Sequence, residues 1–165
     1  MPFNLIINGQ RHYALGTAVT EDKYIVIEFD IAVNGADAKP AGYNIRIGGN
    51  GDYALTNFRL TDTYLARYLD SRNLNSMNER NAYTKGGFAH FKWVLDRETK
   101  RYTYYWNGQL VEENLAAQFN DTDQTPALKY IRFNINKETL ADGVTSLDSQ
   151  LYVDNLKIYV TDSAE

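Results

Sequence analysis

The sequence predicts an all-β protein built as a two-sheet antiparallel β-sandwich of the jelly-roll type. Three observations support this fold class. Apolar and polar residues alternate with a period of two in several separate segments, as they do in half-buried strands. Gly-rich and Asn-Gly turn signals separate these segments at short spacing. Thirteen tyrosines favour strands over helix interiors.

The clearest strand spans residues 24–33, where Ile25, Ile27 and Phe29 share one face while Glu28 and Asp30 share the other. A hairpin follows, with strands at 43–48 and 53–60 joined by the glycine-rich turn 48–51. Residues 61–87 are polar and indicate a long surface connection with one helical turn near 62–69.

Strand patterns resume in the second half of the chain and bring the expected total to eight to ten strands. They cover 88–95, 101–106, 128–136 and 150–160, and Asn107-Gly108 is a strong hairpin signal after the second of these. The pattern at 101–106 favours a buried Trp106 and an outward Tyr105. Trp93 is expected in the core.

Length, charge and composition restrict the possible functions. The 165 residues fit a single domain, 1–165, with its own core. A net charge of −4 argues against binding to nucleic acid or anionic membranes, and no apolar run is long enough for a membrane span. The chain contains no cysteine, so disulfides and thiolate zinc sites are excluded, and any metal should have oxygen ligands. No signal peptide is recognisable, which is also expected of an excised module from a larger secreted protein.

The polar faces of four strands supply candidate binding residues. If these strands belong to one sheet, their side chains form a continuous belt that suits sugar hydroxyls, and aromatic residues beside it can stack on sugar rings. Tyr24, Tyr104, Tyr105, Trp106 and Tyr130 are the aromatic candidates, of which Tyr105 and Tyr130 are preferred. The belt consists of Glu28, Asp30, Asn44, Arg46, His90, Lys92, Arg132 and Asn134. Each of these could instead be an ordinary solvated strand residue.

Three segments of the second half, FAHFKWVLDRETKRYTYYWNGQLV at 88–111, YIRFNIN and LYVDNLKIYV, together resemble the concanavalin A-like jelly rolls of the laminin-G-like kind. The resemblance covers about half of the chain. It implies a protein that handles glycans, since lectins, carbohydrate-binding modules, polysaccharide lyases and glycoside hydrolases share this fold. It also implies a structural calcium ion held by Asp154, whose position in the strand pattern points toward the core. Asx-turn or bulge bonding by Asp154 and Asn155 is the alternative.

The first functional hypothesis is therefore a monomeric, non-catalytic carbohydrate-binding module of a larger secreted polysaccharide-degrading protein. Its partner would be a polysaccharide or oligosaccharide, with anionic sugars favoured by the arginines of the belt. A polysaccharide lyase using Arg46, His90, Lys92 and Arg132 is the first alternative, together with a hydrolase using Glu28 and Asp30. The hydrolase pattern E-x-D-x-x-E is incomplete here because Val33 stands at its third position. A protein-interaction domain that makes contact through 61–87 is the second alternative, and His12 has no assigned role.

Overall fold

The computed structural model describes residues 5–7, 10–19, 23–34, 43–49, 54–60, 64–70, 73–82, 87–118, 128–135 and 150–164. All regular structure in these ranges is β-strand. The strands are β1 (Leu5–Ile7), β2 (Gln10–Val19), β3 (Tyr24–Asn34), β4 (Tyr43–Gly48), β5 (Ala54–Leu60), β6 (Tyr64–Asp70), β7 (Asn73–Ala82), β8 (Ala89–Asp96), β9 (Arg101–Trp106), β10 (Gln109–Ala116), β11 (Leu128–Ile135) and β12 (Gln150–Thr161).

The strands form two six-stranded antiparallel sheets. Sheet A has the order β1-β12-β3-β8-β9-β10, and sheet B has the order β2-β11-β4-β5-β6-β7. This confirms the predicted β-sandwich. That residues 1–165 form one domain stays a prediction.

Aromatic side chains join the two sheets in the core. Phe29 and Phe91 of sheet A stack with their ring centroids 5.0 Å apart. Phe133 of sheet B meets Phe29 edge to face at 5.2 Å, and Phe58 meets Phe91 in the same way at 5.1 Å. These rings are fully buried, as is Trp93. Because aromatic pairs add to the free energy of burial, this cluster holds the sheets face to face.

The prediction of a long surface connection over 61–87 is wrong. β6 and β7 occupy most of that segment and pair with each other, and β6 also pairs with β5. Residues 61–63, 71–72 and 83–86 lie outside the described ranges. The hypothesis of protein contact through a long 61–87 loop therefore loses its structural basis.

Two local backbone features shape the later strands, namely the turn between β9 and β10 and a bulge in β12. Asn107 and Gly108 both have positive φ, 50° and 75°, as a type I′ hairpin turn between β9 and β10 requires. In β12 the register with β3 shifts between Asp154 and Lys157, and Asn155 has a φ of 52°. A bulge of this kind moves the following side chains to the opposite face.

The β12 bulge overturns the predicted orientation of Asp154. Inward-facing residues before the bulge are Leu151 and Val153, and those packed against the core after it are Leu156, Ile158 and Val160. Asp154 lies on the face opposite to that of Leu151 and Val153, so its carboxylate points outward. It accepts a hydrogen bond from the backbone N–H of Asn155 at 2.7 Å. The bulge alternative is the one that the structure contains.

Candidate functional site on the two outward faces

The ten residues predicted to bind carbohydrate do not lie on one sheet. Sheet A carries Glu28, Asp30, His90, Lys92 and Tyr105, whereas sheet B carries Asn44, Arg46, Tyr130, Arg132 and Asn134. The two groups occupy opposite outer surfaces of the sandwich. The single belt was therefore wrong, because strand alternation identifies the outward residues but not the neighbouring strands. The predicted lyase set is divided in the same way.

The outward face of sheet B has two polar rows that cross β11, β4 and β5. Cross-strand partners share a face, so each row brings three side chains together. The first row is Arg132, Arg46 and Asn57, and the second is Asn134, Asn44 and Arg59. Asn57 and Arg59 were missed in the sequence, where 53–60 was recognised only as a hairpin partner.

Several polar residues of this face are deeply placed although they point away from the core. Asn57 is 3% exposed and Asn44 is 8% exposed. Within the described part of the chain, Asn57 Oδ1 and Arg59 Nε are buried without a hydrogen-bond partner. Buried polar groups are normally satisfied, so these two atoms require a hydrogen-bond partner such as a water molecule or a ligand, as does Trp93 Nε1 in the core.

Tyr130 and Gly48 determine the shape of the sheet B face next to the row that contains Arg132. They are directly paired between β11 and β4. A Cβ atom at position 48 would lie 1.9 Å from Cζ of Tyr130, so the tyrosine ring crosses the strand at the one place where no side chain stands. The Arg132 guanidinium lies over the same ring, 5.3 Å from its centroid. The result is a layered platform of glycine backbone, tyrosine ring and guanidinium.

The neighbouring edge strand adds a residue that the sequence analysis left without a role. In the register of β11 and β2, His12 is the backbone partner of Arg132. Its segment was expected at a surface or edge, and β2 is the terminal strand of sheet B.

The outward face of sheet A carries a hydrogen-bonded chain of side chains. Asp30 Oδ1 accepts a bond from His90 Nδ1 at 2.8 Å, and Asp30 Oδ2 accepts one from Asn155 Nδ2 at 2.6 Å. The other imidazole nitrogen of His90 lies 3.8 Å from Glu28 Oε2, and Tyr159 donates its hydroxyl proton to Glu28. Nearly every functional group of these side chains is bonded to another side chain of the same network.

Two ionisations on sheet A are shifted. Partial burial by itself raises the pKa of Asp30, but the hydrogen bonds from Asn155 and His90 outweigh it and hold the pKa below its ordinary value of 3.8. Burial and the bond to Glu28 raise the pKa of Tyr159 to about 12. In both cases the hydrogen bonds favour one protonation state, the carboxylate of Asp30 and the neutral hydroxyl of Tyr159. The hydrogen-bonded side chains on sheet A thus satisfy one another, whereas sheet B has, among its described residues, buried polar atoms without a hydrogen-bond partner.

An ion pair links the sheets at one side of the sandwich. Arg67 Nε of β6 lies 2.8 Å from Glu112 Oε2 of β10, and the side chains are only 11% and 10% exposed. The Tyr104 hydroxyl donates to the same carboxylate at 2.6 Å. Tyr104 is fully buried, so this aromatic candidate belongs to the core and not to a binding surface. Trp106 is also buried, at 4% exposure, whereas Tyr105 faces outward beneath Lys92 as predicted.

The described residues contain no group of three or more His, Cys, Asp or Glu side chains placed to hold a metal ion. Asp154 points outward and not toward the core, so the expected orientation was wrong, and the calcium ion itself stays a prediction. No described helix is long and apolar enough to cross a membrane.

No protein-family model and no curated protein sequence matches the chain. Solved structures do match. A sialidase superposes with a TM-score of 0.70 at 16% identity over 96% of this chain, which spans only 15% of the sialidase chain. The potassium-bound carbohydrate recognition domain of Emp46p has a TM-score of 0.63 at 10% identity, covering 96% of this chain and 80% of its own.

A variant of the alginate lyase Aly36B, in complex with an alginate trisaccharide, has a TM-score of 0.59 at 14% identity. The match covers 97% of this chain and 82% of the lyase chain. Such identities establish a shared fold and leave the activity to be argued from the site. The two antiparallel sheets and these three likenesses show that the chain has the fold of a jelly-roll β-sandwich.

Proposed function

We propose that this chain is a carbohydrate-binding module that holds a carboxylate-bearing polysaccharide on the outward face of sheet B. The observation that supports this most strongly is the direct pairing of Arg132 with Arg46, with Arg59 in the adjacent row. Like charges directly opposite each other across two strands are destabilising. An anionic ligand between the guanidinium groups relieves that repulsion and accepts bidentate hydrogen bonds from them.

The remaining residues of the face suit the hydroxyl groups of a sugar. The amides of Asn44, Asn57 and Asn134 both donate and accept, which is what a hydroxyl-rich ligand requires. The outward positions of β4, β5 and β11 contain no carboxylate, although the whole chain has a net charge of −4. The local charge therefore favours an acidic glycan over a neutral one.

The structural neighbours support a role with glycans. The Emp46p domain is a carbohydrate recognition domain, and the Aly36B structure contains an alginate trisaccharide. The sialidase match involves only 15% of that chain, as a module within a larger glycan-degrading protein would. That the parent protein is secreted is part of the proposal.

Affinity electrophoresis tests the proposal directly. The purified chain is run through native gels that contain alginate, polygalacturonate or neutral dextran. We expect retardation by the two carboxylated polymers and none by dextran. Retardation should weaken as salt is added, because exposed charge interactions are screened.

Variants then identify the face. Arg132→Gln and Arg46→Gln should each raise the dissociation constant roughly tenfold to a hundredfold, since a hydrogen bond to a charged group contributes about 1.5–3 kcal/mol. Lys157→Gln removes the same charge from an exposed position on sheet A and should change nothing. Equal retardation of all three variants, or retardation by dextran alone, would show that the sheet B face is not the binding site.

One observation favours a polysaccharide lyase as the second candidate. His12 is opposite Arg132 in the register of β11 and β2. Elimination from a uronic acid needs a base and a cationic group that neutralises the carboxylate. The same gels and solutions are monitored in the ultraviolet for unsaturated sugar products. Product that disappears in His12→Ala while retardation persists would identify a lyase.

A further inference from the structure

A pocket of about 210 Å³ lies on the outward face of sheet A, on the opposite side of the sandwich from the arginine rows. Its lining includes Val94 of β8, which is 5% exposed although it points away from the core. Val94 is paired with Val26 of β3, another outward residue, which is 1% exposed. Val94 gives the pocket an apolar floor, and Val26 buries apolar surface beside it on the same face.

The walls and rim of the pocket combine aromatic and polar groups. Tyr24 and Tyr105 are lining residues, and Arg101, Thr103 and Glu113 contribute polar groups. An apolar base with a few converging polar groups is the usual composition of a small-molecule site. The volume is below the roughly 300–1,000 Å³ of pockets for drug-sized ligands, so a ligand of one ring is the appropriate size.

A bulge in β10 builds the far side of the pocket. Glu112 is paired with Tyr104 and Leu115 with Tyr102, so Glu113 and Asn114 together oppose the single residue Thr103. Asn114 has a φ of 57°, a conformation that asparagine tolerates better than most residues.

Side chains of β9 hold this bulge in place. The Asn114 N–H donates to Thr103 Oγ1 at 3.3 Å, and Arg101 donates to the Asn114 carbonyl oxygen at 2.6 Å. Two specific hydrogen bonds therefore fix the pocket wall. A preorganised wall lowers the entropic cost of binding a ligand.

We propose that this pocket binds a single neutral sugar ring, and that the module therefore has two glycan-binding surfaces on opposite faces. The tyrosine rings and valine floor suit the C–H face of a pyranose. Rim hydroxyl, amide and ionic groups match hydroxyls that both donate and accept. The lining contains Asp96 and Glu113 against Arg101, and it lacks the paired arginines that face an acidic sugar on sheet B. Binding of a sugar ring in this pocket does not depend on sheet B, whereas the presence of two glycan-binding surfaces rests on the function proposed above.

Protein-observed NMR of the complete chain tests the pocket. The probes are methyl α-mannoside, methyl β-glucoside and methyl β-galactoside, with methyl β-glucuronide as the acidic counterpart. At least one neutral glycoside should shift the signals of Val94, Thr103 and Asn114 in a saturable manner, and the glucuronide should shift them less. Val94→Phe should abolish the shifts by filling the floor.

Tyr105→Ala is the second variant and should weaken the same binding at least tenfold without adding bulk to the sheet. Lys129→Gln, an exposed change on β11, is the matched control and should bind as the unmodified chain does. The proposal is overturned if no neutral glycoside shifts the pocket signals, if the glucuronide shifts them most, or if both pocket variants still bind. Polysaccharide retardation in gels is measured separately, so failure of one surface is distinguishable from failure of the other.

Discussion

Replacing Gly48 by alanine tests whether Tyr130 lies across β4 as the structure has it. The new Cβ atom would fall 1.9, 2.1 and 2.4 Å from three ring carbons of Tyr130, all far inside van der Waals contact. The ring must move, and overpacking of this kind costs about 1–3 kcal/mol of stability. Because Arg132 rests on that ring, the substitution should also weaken polysaccharide binding.

A double-mutant cycle isolates the contact. In a Tyr130→Val background the ring is gone, so Gly48→Ala should cost nothing, or even stabilise the strand by roughly 0.5–1 kcal/mol through the lower chain entropy of alanine. Chemical denaturation of the four proteins should give a coupling energy of about 1–3 kcal/mol. Additive effects, with the two substitutions coupled by less than about 0.5 kcal/mol, would refute the placement of the ring over Gly48.

Arg67→Met should lower the free energy of unfolding by about 3–5 kcal/mol because it leaves the Glu112 carboxylate buried without its cation, and the double change with Glu112→Leu should recover most of the loss in denaturant titrations. The pKa of Asp30 is lower in the folded than in the unfolded protein, so Asp30 contributes stability above the unfolded value near 3.8 and loses it as the pH falls through the folded value. The unmodified protein should therefore be more stable than Asp30→Asn above that range, and the free energies of unfolding of the two proteins should converge in acid. Tyr159 has a folded pKa of about 12, raised from 10.0, so its contribution is complete below pH 10 and is lost as pH rises through 12; a phenolate absorbance titration should lose a midpoint near 12 in Tyr159→Phe. Asn155→Ala should destabilise the chain by about 1–2 kcal/mol through its positive φ, whereas Asn155→Gly should cost less, and equal losses would contradict this explanation.

Period-two patterns made most strands predictable. Residues 24–33 and 128–136 bury one side against the core, so their apolar alternation survives in the sequence and the structure confirms both strands. The inward Trp106 and outward Tyr105 followed from the same periodicity. Alternation of apolar and polar residues indicates which face of a strand is buried, and this orientation is what it predicted correctly.

The partners of each strand could not be predicted from the same signal. Glu28 and Arg46 show identical outward patterns but lie on different sheets, since pairing depends on long-range contacts that alternation does not encode. β7, with the sequence NLNSMNERNA, has no clear apolar alternation, so its composition predicts a surface connection and not a strand. The β12 bulge inserts one residue after Asp154, which reversed the predicted orientation of that carboxylate.

β10 is the last strand of sheet A, and its irregular backbone has a consequence beyond the pocket that it borders. Exposed edge strands are templates for pairing with another molecule, and natural proteins prevent this with bulges and inward-pointing charges. β10 has both, since its register with β9 shifts twice and Glu112 turns inward to Arg67. This edge is therefore a poor template for aggregation, so copies of the chain crowded along one polymer can lie side by side without their sheets joining.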